Sequence, residues 1–174
     1  ILTGDWIIPH YGGVAATQKP PMINWVIAAS MKIFNSRADW VCRFPTVIAT
    51  LMTAWMVAFM GARWHGRKIG LLAGMIVLTS FYVFRQARLA ELDMMLCMFV
   101  TGAMMCFALS EIDSPVGKKP PRLMMIICFF ACIGLSIVSK FLAGPLFVVC
   151  GTTLYILVTR QWKSLKFCFH PLGW

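Results

Sequence analysis

The sequence predicts an all-α, polytopic transmembrane helical bundle: about five spans, preceded by a polar loop and an interfacial helix. Three observations predict it. Of 174 residues, 60% are hydrophobic and only 13% charged, and the mean hydropathy is +0.78, outside the range of soluble globular domains. The apolar residues gather into runs of about 16 to 20, the length a hydrocarbon core requires. Short polar groups rich in Lys and Arg separate the runs, which is how membrane connections are punctuated.

The chain opens on its most polar stretch. Gly4-Asp5-Trp6-Ile7-Ile8-Pro9-His10-Tyr11-Gly12-Gly13 and Thr17-Gln18-Lys19-Pro20-Pro21 bring a carboxylate, an imidazole, a phenol and an ammonium together. Their Gly and Pro forbid a continuous helix or a central strand, so the segment reads as a loop. Beside so much apolar sequence, such a loop belongs at the water interface, where its backbone can be satisfied. It reads as a site where a substrate could be met, with a plain juxtamembrane connector as the alternative. Residues 22 to 36 are too short and too polar at Asn24, Ser30 and Lys32 for a span, and fit a helix lying along the interface. Residues 35 to 39 then turn, with Asp39 placed as a candidate N-cap.

Five candidate spans follow, at 43 to 62, 68 to 84, 93 to 110, 123 to 138 and 142 to 158. Parity puts Arg63, Arg67, Lys68, Lys118, Lys119, Arg122, Arg160, Lys163 and Lys166 on one side, and Arg85, Arg88 and Lys140 on the other. The first set is therefore read as cytoplasmic and the leading loop as external. Lys19, Lys32, Arg37 and Arg43 share the external side, which narrows the asymmetry. The net charge of +10 is spread in small groups between apolar runs, so membrane topology and anionic lipid explain it better than nucleic acid. Most of the seven Cys lie inside apolar runs, where Cys acts as a small hydrophobe. Cys128 and Cys132, four residues apart on one helix face, read as packing rather than as a metal site. The chain reads as a fragment of a longer protein, with one membrane helix before it and more after.

Ionisable groups near membrane depth are costly and are candidates for function. Parity places Asp5, His10 and Lys19 of the loop at one mouth of the bundle with Arg85, Arg88, Glu91, Asp93 and Lys140. In Arg85-Gln-Ala-Arg-Leu-Ala-Glu-Leu-Asp93 the Arg88–Glu91 spacing also fits a salt-bridged helix end, and Asp93 a cap on the next span. Lys140, at a helix end, also fits a snorkelling anchor.

Six stretches in order carry a resemblance: Gly4-Asp5-Trp6, Lys19-Pro20-Pro21, Arg43-Phe44-Pro45, Gly66-Arg67-Lys68 before Gly70-Leu-Leu-Ala-Gly74, Arg88 to Leu96, and Lys140 to Pro145. Together they resemble the polytopic GT-C glycosyltransferases that use polyprenyl-phosphate sugars, including the aminoarabinose transferases of lipid A and the protein O-mannosyltransferases. The resemblance implies inverting transfer of a sugar from a polyprenyl-phosphate donor to a hydroxyl of a glycolipid or protein acceptor, outside the membrane. It also implies residence in a bacterial inner membrane, with membrane lipids as surroundings. Asp5 matches the family's catalytic carboxylate, a general base for the acceptor hydroxyl. Lys19, Arg88 and Lys140 would offset charge on the departing phosphate, and His10, Tyr11 and Asp93 would join them in binding substrate. Gln18 stands where the aminoarabinose branch often has a metal-holding Glu. A neutral amide is a poor ligand for such a cation, which leaves dependence on a divalent metal open. Residues 1 to 40 are expected to form the external loop and interfacial helix of one domain, and 41 to 174 its membrane helices. The rival readings are a transporter, which would need ionisable groups at mid-span or broken helices, and a non-catalytic membrane scaffold.

Overall fold

A computed structural model describes residues 10–11, 14–15, 22–112 and 121–168. In the leading stretch, β1 (His10–Tyr11) and β2 (Val14–Ala15) pair antiparallel, His10 opposite Ala15 and Tyr11 opposite Val14. Asp5, Gln18 and Lys19 lie outside the described residues. Helices make up the rest: α1 (Met22–Phe34), α2 (Asp39–His65), α3 (Arg67–Thr79), α4 (Phe81–Ala87), α5 (Asp93–Glu111), α6 (Arg122–Lys140), α7 (Ala143–Thr159) and α8 (Leu165–Cys168).

All five expected spans are helical, yet they differ in reach. α2, α5 and α6 are long and apolar enough to cross a membrane. The segment expected to run unbroken from 68 to 84 is instead α3 and α4, bent by 64° at Ser80, which makes a fourth crossing if the pair counts as one. α7 is apolar but has 17 residues, so at about 1.5 Å per residue it falls short of a full hydrocarbon core.

Small residues decide how α2 and α3 meet. Gly70 lies against the backbone of Ala58 and Ala62, and a Cβ on Gly74 would stand 2.9 Å from the Ala58 methyl. In lipid there is little hydrophobic force between helices, so this close backbone approach, with its dispersion contacts, supplies the attraction. The Gly66 turn between the two helices has φ of 92°, a region glycine enters without steric cost.

α1 is joined to α2 by a specific repair. Pro45 lies inside α2 and has no N–H to donate to the carbonyl four residues back, that of Val41. The Ser30 hydroxyl of α1 donates to that carbonyl at 2.7 Å, with both residues buried. Phe34 then packs edge-on against Trp40 and Phe44, with ring centres 5.1 and 5.0 Å apart. The helix expected to lie at the interface is thus fastened at both its middle and its end. Asp39 is the first residue of α2, not its cap. Ala38 occupies the capping position without a side-chain bond, and the Asp39 carboxylate lies 3.9 Å from Arg43.

Two apolar clusters mark the two ends of the bundle. Met22, Ala49, Leu92, Met94, Met95 and Phe99 form one, with Val83 against them. Phe107, Leu109, Met125, Ile126, Phe129, Val148 and Phe167 belong to the other, with Trp64 and Tyr155 packed on it. The connections after α4 and α6 meet at the first end, and those after α2, α5 and α7 lie at the second, the alternation that parity predicts.

Candidate functional site

The 64° bend at Ser80 turns α4 so that its faces separate. Phe81, Tyr82 and Phe84 are exposed on the outside, while Gln86 is only 6% exposed. Its amide nitrogen donates to Asp93 Oδ2 at 2.9 Å and to Glu91 Oε2 at 3.3 Å. Two carboxylates can only accept, so the nitrogen and not the carbonyl oxygen must face them. The other oxygen of Asp93, Oδ1, accepts from Lys140 Nζ at the C-terminal end of α6. Asp93 is therefore held on both oxygens, by a neutral donor from one side and a cation from the other.

Two sequence expectations are corrected here. Asp93 does not cap α5. It is the first helical residue, the capping position belongs to Leu92, and no side-chain cap bond is made. Its carboxylate instead turns outward to Gln86 and Lys140, and its place in the first turn still suits the positive helix terminus. Arg88 and Glu91 form no ion pair, because residues 88 to 92 leave the helix. Arg88 lies over the Phe84 ring at 5.7 Å instead, a cation–π arrangement.

Lys140 is presented by a strained turn. Phe141 has φ 47° and ψ −122°, and Leu142 has φ −72° and ψ −16°. These are the two central residues of a type II′ turn, whose first position is a glycine position. Phe141 occupies it while 64% exposed, so no packing of its ring rewards the strain. Behind the turn, Gly144 of α7 presses on Ser136 of α6, leaving no room for a Cβ. Ser139, beside Lys140, is fully buried, and its hydroxyl has no hydrogen-bond partner among the described residues.

Of the residues the sequence singled out, Asp93 and Lys140 are brought into contact and Arg88 lies at the same connection. His10 and Tyr11 lie in β1, and Asp5 and Lys19 fall outside the described residues. Gln86 was not singled out. The signal was present as one uncharged amide between Arg85 and Arg88, but nothing local says that it turns inward. Among the described residues no three His, Cys, Asp or Glu side chains are grouped to hold a metal ion. Cys128 and Cys132 pack against the aromatic cluster.

The chain matches the dolichyl-phosphate-mannose-protein mannosyltransferase family over residues 18–172. It belongs to that family. Among its relatives, the undecaprenyl phosphate-alpha-4-amino-4-deoxy-L-arabinose arabinosyl transferase of Edwardsiella ictaluri is 32% identical over 99% of this chain and 31% of its own length. That of Enterobacter sp. is 29% identical over 98% and 30%. The fold matches ArnT from Cupriavidus metallidurans, 23% identical, with a TM-score of 0.86 for the apo structure and 0.89 for the structure bound to undecaprenyl phosphate. Each match covers 99% of this chain, and 32% and 31% of the ArnT chains. The chain thus spans about a third of the length of the relatives it matches, and its fold is that of a polytopic GT-C membrane protein.

Proposed function

We propose that the chain is part of an inverting membrane glycosyltransferase that moves a sugar from a polyprenyl-phosphate carrier to a hydroxyl acceptor. A 4-amino-4-deoxy-arabinose donor fits best, because the relatives similar over almost the whole chain are named for that donor, and lipid A is the acceptor that the resemblance to the aminoarabinose transferases implies. The observation that carries the proposal is the contact of Lys140 with Asp93 at the start of α5, just after the connection that holds Arg88, since an oriented ammonium and a guanidinium there suit a phosphate leaving group. Asp5 accepts the proton of the acceptor hydroxyl as its oxygen attacks the anomeric carbon. The bond from that carbon to the phosphate oxygen breaks, and the carrier departs as polyprenyl phosphate. Lys19, Arg88 and Lys140 offset the charge that builds on it. His10 and Tyr11 contact substrate from the hairpin, and Asp93 orients Lys140.

The protein sits in the bacterial inner membrane with this mouth on the periplasmic side. Residues 1 to 40 serve as loop and interfacial helix over the membrane helices of 41 to 174, in one domain. The acceptor is a glycolipid or a protein hydroxyl, and a divalent metal would need ligands other than Gln18. Of the two features a transporter would show, a broken helix is present at Ser80. Mid-span charge is not found in α2, α5 and α6, where every described ionisable side chain other than Cys lies in the first or last five residues, and the family match favours the transferase.

The test is sugar transfer from a labelled donor in membranes holding the full-length protein. Asp5→Asn should insert normally and lose about 100-fold or more of the transfer rate, as expected for removing a general base. Equal transfer by both proteins would make the loop a connector and remove Asp5 from the site, and transfer by neither with any donor would favour the transporter reading.

A further inference from the structure

We infer that Gln86 is a positioning residue: its buried amide fixes Asp93 and Glu91 side by side, and through Asp93 sets where the Lys140 ammonium stands. The functional meaning rests on the proposed role of Lys140, but the arrangement can be tested without it.

Three observations carry the inference. First, a buried amide in a largely apolar helix is costly unless satisfied, and the Gln86 nitrogen points both its hydrogens at carboxylates from outside α4. Second, Glu91 and Asp93 share that one nitrogen, so they stand closer than two free carboxylates would choose. A neutral double donor between them lowers their repulsion without adding a charge that would compete for Asp93. Third, Asp93 has one oxygen on Gln86 and the other on Lys140. Removing the first contact frees the carboxylate to rotate about χ1 and χ2, and Lys140 loses its fixed partner.

The bend at Ser80 is the local device that makes this possible. A straight continuation of α3 would carry Gln86 away from the start of α5. The bent helix keeps the aromatic and Arg side chains outside and lays the amide against the two acids. Gln86 touches neither donor nor acceptor in this scheme. It acts through Asp93.

The experiment uses the full-length protein in membrane vesicles and follows acylation of the Lys140 amine by a small amine-reactive reagent, read by peptide mass spectrometry. An amine engaged with a carboxylate reacts more slowly than one released to water. Gln86→Met, close in volume and unable to donate, should speed acylation of Lys140 about fivefold, the scale of one typical net hydrogen bond. Asp93→Asn should speed it at least as much, and the double variant should match Asp93→Asn alone, the non-additivity expected of residues acting in series. Gln86→Asn keeps an amide one methylene short of the acids and should change the rate in the same direction, which covers a failure of Gln86→Met to fold.

Transfer kinetics add a second readout. Gln86→Met should raise KM for the polyprenyl-phosphate donor about fivefold, whereas mere loss of folded protein lowers apparent kcat and leaves KM alone. Acylation of Lys140 unchanged in folded Gln86→Met or Gln86→Asn overturns the inference, as does a double variant that exceeds Asp93→Asn. If the wild type transfers no sugar from any polyprenyl-phosphate donor, the proposed function fails, and the acylation rates still decide the role of Gln86.

Discussion

Where α5 ends and α6 begins, Phe107, Phe129 and Phe167 meet edge to face, with ring centres 5.2 to 5.7 Å apart, and Tyr155 closes on Phe107 at 5.5 Å. Where α5 begins and α6 ends, the contacts are instead an amide, two carboxylates and an ammonium. The same two helices build both ends. At the aromatic end, shape and dispersion hold them, with the Arg122–Glu111 pair at 2.9 Å bridging the connection. At the polar end, hydrogen bonds to charged groups do so, on a turn whose backbone is strained at Phe141. Strain and charge at one end are tolerated because the other end over-determines the packing.

The largest way to break this division is at the aromatic end. Phe107→Ala removes a side chain only 1% exposed and should cost about 3 kcal/mol, seen as a large fall in the unfolding midpoint in detergent. Sugar transfer should fall only in proportion to folded protein.

Next comes the repair at Pro45. Ser30→Ala leaves the buried Val41 carbonyl without its donor and should cost about 1 to 3 kcal/mol, with α1 exchanging its amide hydrogens faster while α5 and α6 keep their protection. Equal exchange in α1 would mean that Phe34, Trp40 and Phe44 hold the helix by themselves.

Phe141→Gly should go the other way. It relieves a non-glycine residue in a glycine conformation while giving up an exposed ring, so a gain of about 1 kcal/mol is expected, read as a raised midpoint. A loss would show that the ring is held by something outside the described residues.

The smallest effect belongs to the ion pair. Arg122→Met leaves Glu111 with the Ser110 hydroxyl at 3.2 Å and should cost under about 1 kcal/mol, less in high salt.

Cys168 sharpens the comparison by pH. Burial at the aromatic end, and then the nearby Glu111 charge, push its thiol up, against the lowering effect of the Thr152 hydroxyl. Its alkylation should stay slow at neutral pH and accelerate only above the range where an ordinary thiol has ionised. Phe107→Ala, by opening that end, should bring the acceleration to lower pH. Rates resolved by peptide mass spectrometry check both statements.

The ordering of apolar runs and basic connections was enough to read the helices, their alternation and the mouth at which Arg88, Asp93 and Lys140 gather, because hydropathy and charge act along the chain. The family resemblance, too, is a matter of residues in order. The bend at Ser80 was not readable, since Thr79, Ser80 and Phe81 contain neither Pro nor Gly and the hydropathy continues across them. Nor was the strain at Phe141, because the turn is set by the close approach of Gly144 to Ser136 rather than by its own residues.

Composition and order by themselves determined a membrane bundle with a charged mouth. Tertiary structure alone decided which polar groups touch: the bend brings Gln86 to Asp93, and the turn brings Lys140 to the opposite oxygen. The physical reason is range. A hydropathy pattern is fixed within one helix, whereas a hydrogen bond between α4, α5 and α6 exists only after three separate backbones have been placed.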